Sequence, residues 1–486
     1  MIPMTTKSIS IHWFRQDLRI EDNPALNAVA RSGDVIPIYI FDTGRGAERI
    51  VGGAGKIWLH YSLKALNKSL NGALRCFKGD PLEILQKLTK DTQAKTVTWN
   101  RLYEPSSIER DKIIKSKLVN TGTAVLSFGG SLLWEPWETL KADGTPYKVF
   151  TPFFRRGCLN ASPPRLPETT CDIELIPNVS DAEEQINKLK LLKEKLWEKS
   201  ITEEWHIGEL GAKQRLKAFI KNDIDNYKDG RNFPMKTNVS RLSPYLHWGE
   251  ISPNTAWYAA KNKLKTHPYI ENDVGHFLSE LGWREFSNSL LFHFPELPRT
   301  NLQKKFDSFP WTEDKNLLRA WQTGKTGYPI VDAGMRQLWE TGYMHNRLRM
   351  IVGSFLVKNL LLHWHFGESW FWDCLFDADL ANNSAGWQWI AGCGADAAPY
   401  FRIFNPVTQG IKFDPTGEFV RRFVPELANL PNSVLFTPWE ASTEILSKSG
   451  VKLGETYPKP IVGLKDSRQR ALEAFSNLKV LPQTNP

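Results

Sequence analysis

The spacing of apolar residues changes character once along this chain, and that change limits the folds open to it. Short apolar runs at Ile9–Phe14, Val35–Phe41, Leu74–Phe77, Thr96–Trp99 and Ala124–Phe128 read as strands. Between them, Ile57–Leu70, Pro81–Thr89 and Ile108–Thr121 have helical spacing. Such alternation predicts an α/β N-terminal domain with a parallel, Rossmann-like sheet over residues 1–130. Residues 131–205 read as a connector, Pro-rich at Ser162–Thr170 and then charged over Asp181–Ser200. Both charge signs alternate in that run, which suits a solvated helix or mobile linker. From 206 to 476 the pattern is helical almost throughout, including one long apolar helical run from Asn346 to Trp364, and predicts a larger all-α domain. Residues 477–486 form a short tail.

Composition narrows the class further. The 486 residues allow about three ordinary domains, or two if one is large. A net charge of +9 favours polyanionic partners but is spread thinly. The five cysteines, Cys76, Cys158, Cys171, Cys374 and Cys393, are scattered without a CxxC pair, which argues against a disulfide framework, zinc or an iron-sulfur cluster. No metal is expected. The start of the chain lacks the pattern of a secretion signal, and no run of 18 apolar residues appears, so no membrane association is expected. No GxGxxG follows the first strand, which argues against nucleotide redox chemistry in that half. Tryptophan is the unusual residue: eleven of 19 fall between Trp248 and Trp389.

The segment from Asp377 to Gly410 concentrates the chemistry. Asp377, Asp379, Asn382, Asn383, Trp387, Trp389 and Arg402 sit in an apolar, glycine-punctuated stretch. Polar groups placed there need partners if buried. A large planar cofactor with many hydrogen-bonding atoms would supply them. Other motifs recur along the chain: WFRQDLRIEDNPAL (Trp13–Leu26), TPYKVFTPF (Thr145–Phe153), SRLSPYLHWGEISP (Ser240–Pro253), LGWREF (Leu281–Phe286), GKTGYPIVDAGMRQL (Gly324–Leu338), MHNRLRM (Met344–Met350) and YPKPIV (Tyr457–Val462). The GKT is not a phosphate loop, because Arg319 rather than Gly stands five residues before Gly324. In this combination the chain closely resembles the DNA photolyase and cryptochrome family, nearest to bacterial photolyases of cyclobutane pyrimidine dimers.

That resemblance implies one bent FAD in the helical domain. It assigns Tyr227, Ser240, Leu242, Ser243, Arg284, Arg349, Asp377, Asp379 and Asn383 to FAD. Ser240 and Ser243, opening a helix at Pro244, suit a diphosphate, although plain helix capping is compatible with them. Arg349 and Asp377 resemble a buried ion pair facing the flavin ring, and Asp379 a partner for the ribose or ring edge. Asn383 falls at the position facing flavin N5, where plant-type photoreceptors resemble this pattern with an acid and insect-type ones with Cys; Asn favours repair. Trp387, Trp364 and Trp311 match a three-tryptophan electron path. Glu280, Trp283, Asn346, Met350, Asn383 and Trp389 are the implied catalytic and lesion-contacting residues. Arg231, Arg347, Arg402 and Lys412 match phosphate contacts.

The expected function is light-dependent repair of cyclobutane dimers in UV-damaged DNA, with carbon–carbon lyase chemistry. The (6-4) photoproduct is the alternative lesion, but relatives repairing it carry His where Asn346 and Met350 stand. A cryptochrome-like photoreceptor is the alternative class; the short tail after Phe475 and Asn383 both argue against it. A second, antenna chromophore is expected in or beside the α/β domain, with methenyltetrahydrofolate preferred and a deazaflavin as alternative. Asn100–Asp111 and Gly52–Leu63 are its candidate segments. Pro298 and Arg299 replace the Cys-Lys of the commonest folate-binding pattern, so another mode of binding is expected. A monomer without an obligate protein partner, in the bacterial cytosol or nucleoid, completes the expectation.

Overall fold

The computed structural model describes residues 8–44, 49–192, 202–397 and 401–478. Five strands, β1 (Ser8–Phe14), β2 (Gly33–Asp42), β3 (Arg75–Gly79), β4 (Thr96–Asn100) and β5 (Ala124–Phe128), form one sheet in the order β3-β2-β1-β4-β5. Every neighbouring pair is parallel. The central strands β1 and β2 are buried along most of their length, as expected for a sheet covered on both faces. Four helices connect the strands: α1 (Pro24–Ala30), α2 (Gly53–Ser69), α3 (Pro81–Thr92) and α4 (Pro105–Asn120). α1 is too short for its periodicity to stand out in the sequence. Its signal is local: Asn23 accepts from the Leu26 amide at 3.1 Å, and Pro24 occupies the first helical position.

Packing divides the chain into two compact units, Met1–Tyr147 with Thr151–Asp225 and Ser240–Pro295, and Lys148–Phe150 with Asn226–Val239 and Glu296–Pro486. These units cut across the segments drawn from sequence, because packing groups residues without regard to chain order. In the first unit the sheet is joined by α5 (Ser243–His247), α6 (Pro253–Thr266) and α7 (Glu271–His293). The second contains α8 (Lys315–Gln322), α9 (Pro329–Thr341), α10 (Asn346–Ser354), α11 (Trp364–Cys374), α12 (Leu380–Ala391) and α13 (Pro406–Phe413).

The stretch expected to be a loose connector is docked instead. The Val35 amide donates to the Glu174 carbonyl at 2.8 Å and the Ile176 amide to the Val35 carbonyl at 3.0 Å. Within the charged run, Ala182–Lys188 is a helix capped by Asp181. Ala182, Ile186, Leu189 and Leu191 are buried, so this part is neither solvated all round nor a linker. Residues 193–200 of that run lie outside the described residues, as do residues 479–486 of the tail.

The motif WFRQDLRIEDNPAL is a structural staple of the first unit. Arg19 is fully buried, and its guanidinium donates to the carbonyls of Asp22, Gly130 and Gly249 at 2.8 to 3.1 Å. The strand order reverses between β1 and β4, where open α/β sheets commonly bind ligands. Here that position is crossed by an ion-pair ladder. Arg15 pairs with Asp111, Asp111 with Arg110 at 2.9 Å, and Arg110 with Asp42 at 2.9 Å. Both guanidiniums also lie against the Trp13 ring.

One helix expected from the sequence is broken. The apolar run from Asn346 to Trp364 is α-helical only to Ser354, then widens over Phe355–Asn359 and stops. Leu361 has a φ of 55°, a left-handed conformation that ends the helix, and Trp364 starts α11 under a cap from His363.

Candidate functional site

In the second unit, the loop before α12 and the start of α10 hold the charged pair singled out in the sequence. Nη2 of Arg349 donates to both oxygens of Asp377, at 2.8 and 3.0 Å. Nε of Arg349 donates to the Met344 carbonyl at 2.9 Å, so the guanidinium is held along two edges. The Asp377 side chain is 6% exposed and that of Arg349 26%, which leaves the pair one open edge. Removing either partner would strand a charge. Asp379 caps α12, accepting from the Asn382 amide at 2.8 Å and from its side-chain nitrogen at 2.7 Å.

Asn383, in the first turn of α12, has a fixed amide. Its Nδ2 donates to the Glu368 carbonyl at 2.9 Å and to Glu368 Oε1 at 3.2 Å. Both hydrogens are thereby directed at one residue of α11. The carbonyl oxygen faces the other way and, among the described residues, accepts nothing. Three residues on, a Cβ added at Gly386 would meet no atom within 4 Å, so this helix borders open space. A neutral acceptor, a fixed ion pair and an unfilled surface over a helix glycine suit a planar heteroaromatic ring with N–H and C=O edges. These residues fit the flavin of FAD.

Two of the three tryptophans are interior and the third lies nearer the surface. Trp387 is 3% exposed and Trp364 fully buried, while Trp311 is only partly buried. The Trp387 ring lies against Gly367, where an added Cβ would come within 2.0 Å of it. Gly367 is one turn beyond Trp364 on α11. The Trp364 indole N–H donates to Asn301 Oδ1 at 3.0 Å. The His363 ring lies 5.6 Å from the Trp364 ring centroid and 5.2 Å from that of Trp311.

Two of the expected phosphate contacts lie against one ring of an aromatic pair. Phe233 and Phe413 lie 6.2 Å apart; Arg347 stacks 4.2 Å from Phe413 and Lys412 5.3 Å from it. Arg347 also donates to Asn232 Oδ1. Burial, then the nearby charge of Arg231, lowers the Arg347 pKa. Arg231 itself lies 5.5 Å over the buried Tyr227 ring. Arg402 is exposed, with Asp396 as a charge neighbour. Asn346 is exposed at the first position of α10, Met350 lies one turn on, and Trp389 packs at the edge of the helical core.

The first unit carries the remaining candidates. Glu280 and Trp283 share one face of α7 and are partly buried, as is Arg284, whose guanidinium reaches Glu285 at 3.2 Å. Leu242 is buried and Ser243 exposed at the start of α5. No side chain caps this helix; Ser240 Oγ only meets the Leu242 amide at 3.4 Å. The plain capping compatible with the sequence is therefore absent from α5. Among the described residues, no group of three or more His, Cys, Asp or Glu could hold a metal, and no helix is long and apolar enough to cross a membrane.

Residues 277–477 match the family model described as the FAD binding domain of DNA photolyase, and residues 10–170 match the DNA photolyase model. The chain belongs to the DNA photolyase family. The deoxyribodipyrimidine photo-lyase of Agrobacterium fabrum is 48% identical over 474 residues, covering 96% of this chain and 98% of that protein. Cryptochrome-2 of Arabidopsis thaliana is 38% identical over 495 residues, covering 97% and 79%. The crystal structure of a bacterial class III photolyase from Agrobacterium tumefaciens superposes with a TM-score of 0.93 at 46% identity, covering 98% of this chain and 99% of that one.

In this photolyase-family chain, several residues that shape the site went unseen in the sequence. Glu368 aims the Asn383 amide, and Gly367 makes room for Trp387. His345 caps α10 by accepting from the Arg347 amide at 3.2 Å. Burial, followed by the charges of Arg231, Arg347 and Arg349, pushes its pKa down to about 3 and keeps it neutral. Its place beside Asn346 in MHNRLRM was the only available signal.

Proposed function

We propose that this chain repairs cyclobutane pyrimidine dimers in DNA, driven by light and using FAD. When bound, FAD in its reduced form supplies the photoexcited electron that opens the cyclobutane ring and then returns, leaving no net redox change. The observation that carries the proposal is Asn383: Glu368 takes its amide hydrogens, so a neutral acceptor oxygen is left for an N–H at the cofactor edge. An acid there would add charge beside the ring; an amide does not.

The remaining roles follow from side-chain chemistry. Arg349 and Asp377 orient the ring edge, while Tyr227, Ser240, Leu242, Ser243, Arg284 and Asp379 serve as further FAD contacts. Trp283 and Trp389 offer flat walls for a flipped pyrimidine pair, with Glu280 and Asn346 as polar partners and Met350 as an apolar contact. Arg231, Arg347, Arg402 and Lys412 hold phosphates, which gives salt-dependent binding without sequence preference. Trp311, Trp364 and Trp387 pass electrons inward one at a time, reducing the cofactor rather than taking part in repair itself. Partner and setting follow: UV-damaged DNA, acted on by a monomer in the bacterial cytosol or nucleoid. A folate antenna is preferred to a deazaflavin.

Two other readings are weaker. Repair of (6-4) photoproducts would want a histidine proton donor at the lesion; Asn346 and Met350 are not histidines, and the adjacent His345 is locked as a neutral cap. Photoreceptor signalling draws support from the likeness to a plant cryptochrome, but the amide at position 383 speaks against it. Two oligonucleotides, one with a cyclobutane dimer and one with a (6-4) photoproduct, separate the cases under blue light. Loss of the cyclobutane dimer alone is the expected result; loss of the (6-4) product, or of neither, contradicts the proposal.

A further inference from the structure

A buried lysine in the second unit is used by none of the roles above. Lys358 is 1% exposed and lies in the widened segment that follows α10. Its Nζ donates to the Ala391 carbonyl, at the end of α12, at 2.9 Å and stands 3.1 Å from the centroid of the Phe401 ring. Among the described residues no carboxylate pairs with it, and burial pulls its pKa well down. An apolar side chain of similar length would fill the space without that desolvation penalty. A group that lowers stability in this way is commonly kept for function.

What Nζ touches points to that function. The end of α12 is the negative pole of the helix dipole, and the face of the Phe401 ring is negative too, so both favour a cation. At Gly392, with a φ of 97°, an added Cβ would stand 3.2 Å from the Phe401 ring and 3.4 Å from Nζ, so helix end, amine and ring meet at one point. Phe401 also stacks on Phe475, with centroids 4.4 Å apart and planes 9° from parallel. Three residues on, the Phe404 amide donates to Oγ of the buried Ser354 at 3.1 Å. Ser354 ends α10, and Lys358 follows it by four residues. One short stretch of chain therefore grips the loop on both sides of Arg402, which is itself exposed.

Taking DNA repair and the Arg402 phosphate contact as premises, we propose that Lys358 is a positioning residue for DNA binding: it pins Phe401 to the end of α12 and so holds Arg402 out toward a phosphate of the damaged strand. Ser354 supplies the second pin, at Phe404. Lys358 is buried and reaches no phosphate itself. Its effect on DNA passes through Arg402.

The test measures binding of the full FAD-loaded chain to a duplex oligonucleotide carrying one cyclobutane dimer, in the dark and over a series of salt concentrations. Each lost phosphate contact lowers the slope of log affinity against log salt by about one. Lys358→Met and Arg402→Ala are each expected to show that loss, and the double variant no more than either, because the same contact is missing in all three. Lys358→Met combined with Arg347→Ala should lose about two. FAD content and melting temperature should not fall in Lys358→Met, since an apolar chain replaces a buried ion. Phe401→Leu, which removes the ring and keeps the lysine, should lose the same slope and decides the matter if Lys358→Met fails to fold. An unchanged slope in folded Lys358→Met or in Phe401→Leu, or losses that add to about two with Arg402→Ala, would overturn the clamp. An unchanged slope in Arg402→Ala alone would overturn the phosphate contact and the clamp with it. These slopes in a chain that repairs no dimer under blue light would uphold the clamp and defeat the proposed function instead.

Discussion

Glu368 holds the Asn383 amide by a backbone carbonyl and a side-chain oxygen, and under the proposed function this decides what the flavin edge meets. In Asn383→Asp, a carboxylate would stand where the amide nitrogen now lies 3.2 Å from Glu368 Oε1, with both residues nearly buried. Like charges that close disfavour double ionisation, and negative charge beside a reduced flavin disfavours it too. We predict a lower yield of reduced FAD on anaerobic illumination with an external donor; an unchanged yield would remove Asn383 from the account. At Gly367, a methyl group would meet Trp387 at 2.0 Å, far inside contact distance. Gly367→Ala should cost about 1–3 kcal/mol by overpacking and slow photoreduction, read from melting and from transient absorption of oxidised tryptophan. Unchanged melting and kinetics would show that the ring is not confined there. Asp377 and Asn383 were legible in the sequence because polar residues in an apolar stretch stand out, whereas Arg349 was singled out only through the family resemblance. Glu368 and Gly367 were not, since each gains its meaning from a partner 15 or more residues away.

The elements show the same division. The parallel sheet could be read from its strands, because strands buried on both faces leave unbroken apolar runs. The helix break after Ser354 could not, because the residues beyond it remain apolar and nothing marks Leu361 for positive φ. The docked connector was hidden by its charge, with four buried apolar side chains spaced among lysines and glutamates. α12 offers a clean test of an element end. Asp379 both caps it and accepts the Asn383 amide at its backbone carbonyl, 2.8 Å away. Asp379→Ala should lower apoprotein stability by about 1 kcal/mol, whereas Asp379→Asn, itself a good cap, should restore most of it. Equal melting temperatures for the two variants would contradict the capping role.

At the scale of the whole molecule, stability and activity can be probed separately. Burial raises Glu285 to about 7, against the pull of Arg284 and the amides of Trp134 and Leu133. An unfolded glutamate titrates near ~4.3. Between those values the folded chain holds a proton that the unfolded chain has lost, so this group's stabilisation is present at low pH and falls as pH rises through about 7. Glu285→Gln should therefore flatten the decline of melting temperature across that window; an unaltered slope would refute the shift. The central claim is light-driven repair, and chromatography of a dimer-bearing oligonucleotide mixed anaerobically with reduced, FAD-loaded protein tests it most directly. Restored thymines after blue light, with none in the dark, is the predicted result. An intact dimer after illumination of fully reduced protein, with the DNA bound, would contradict it.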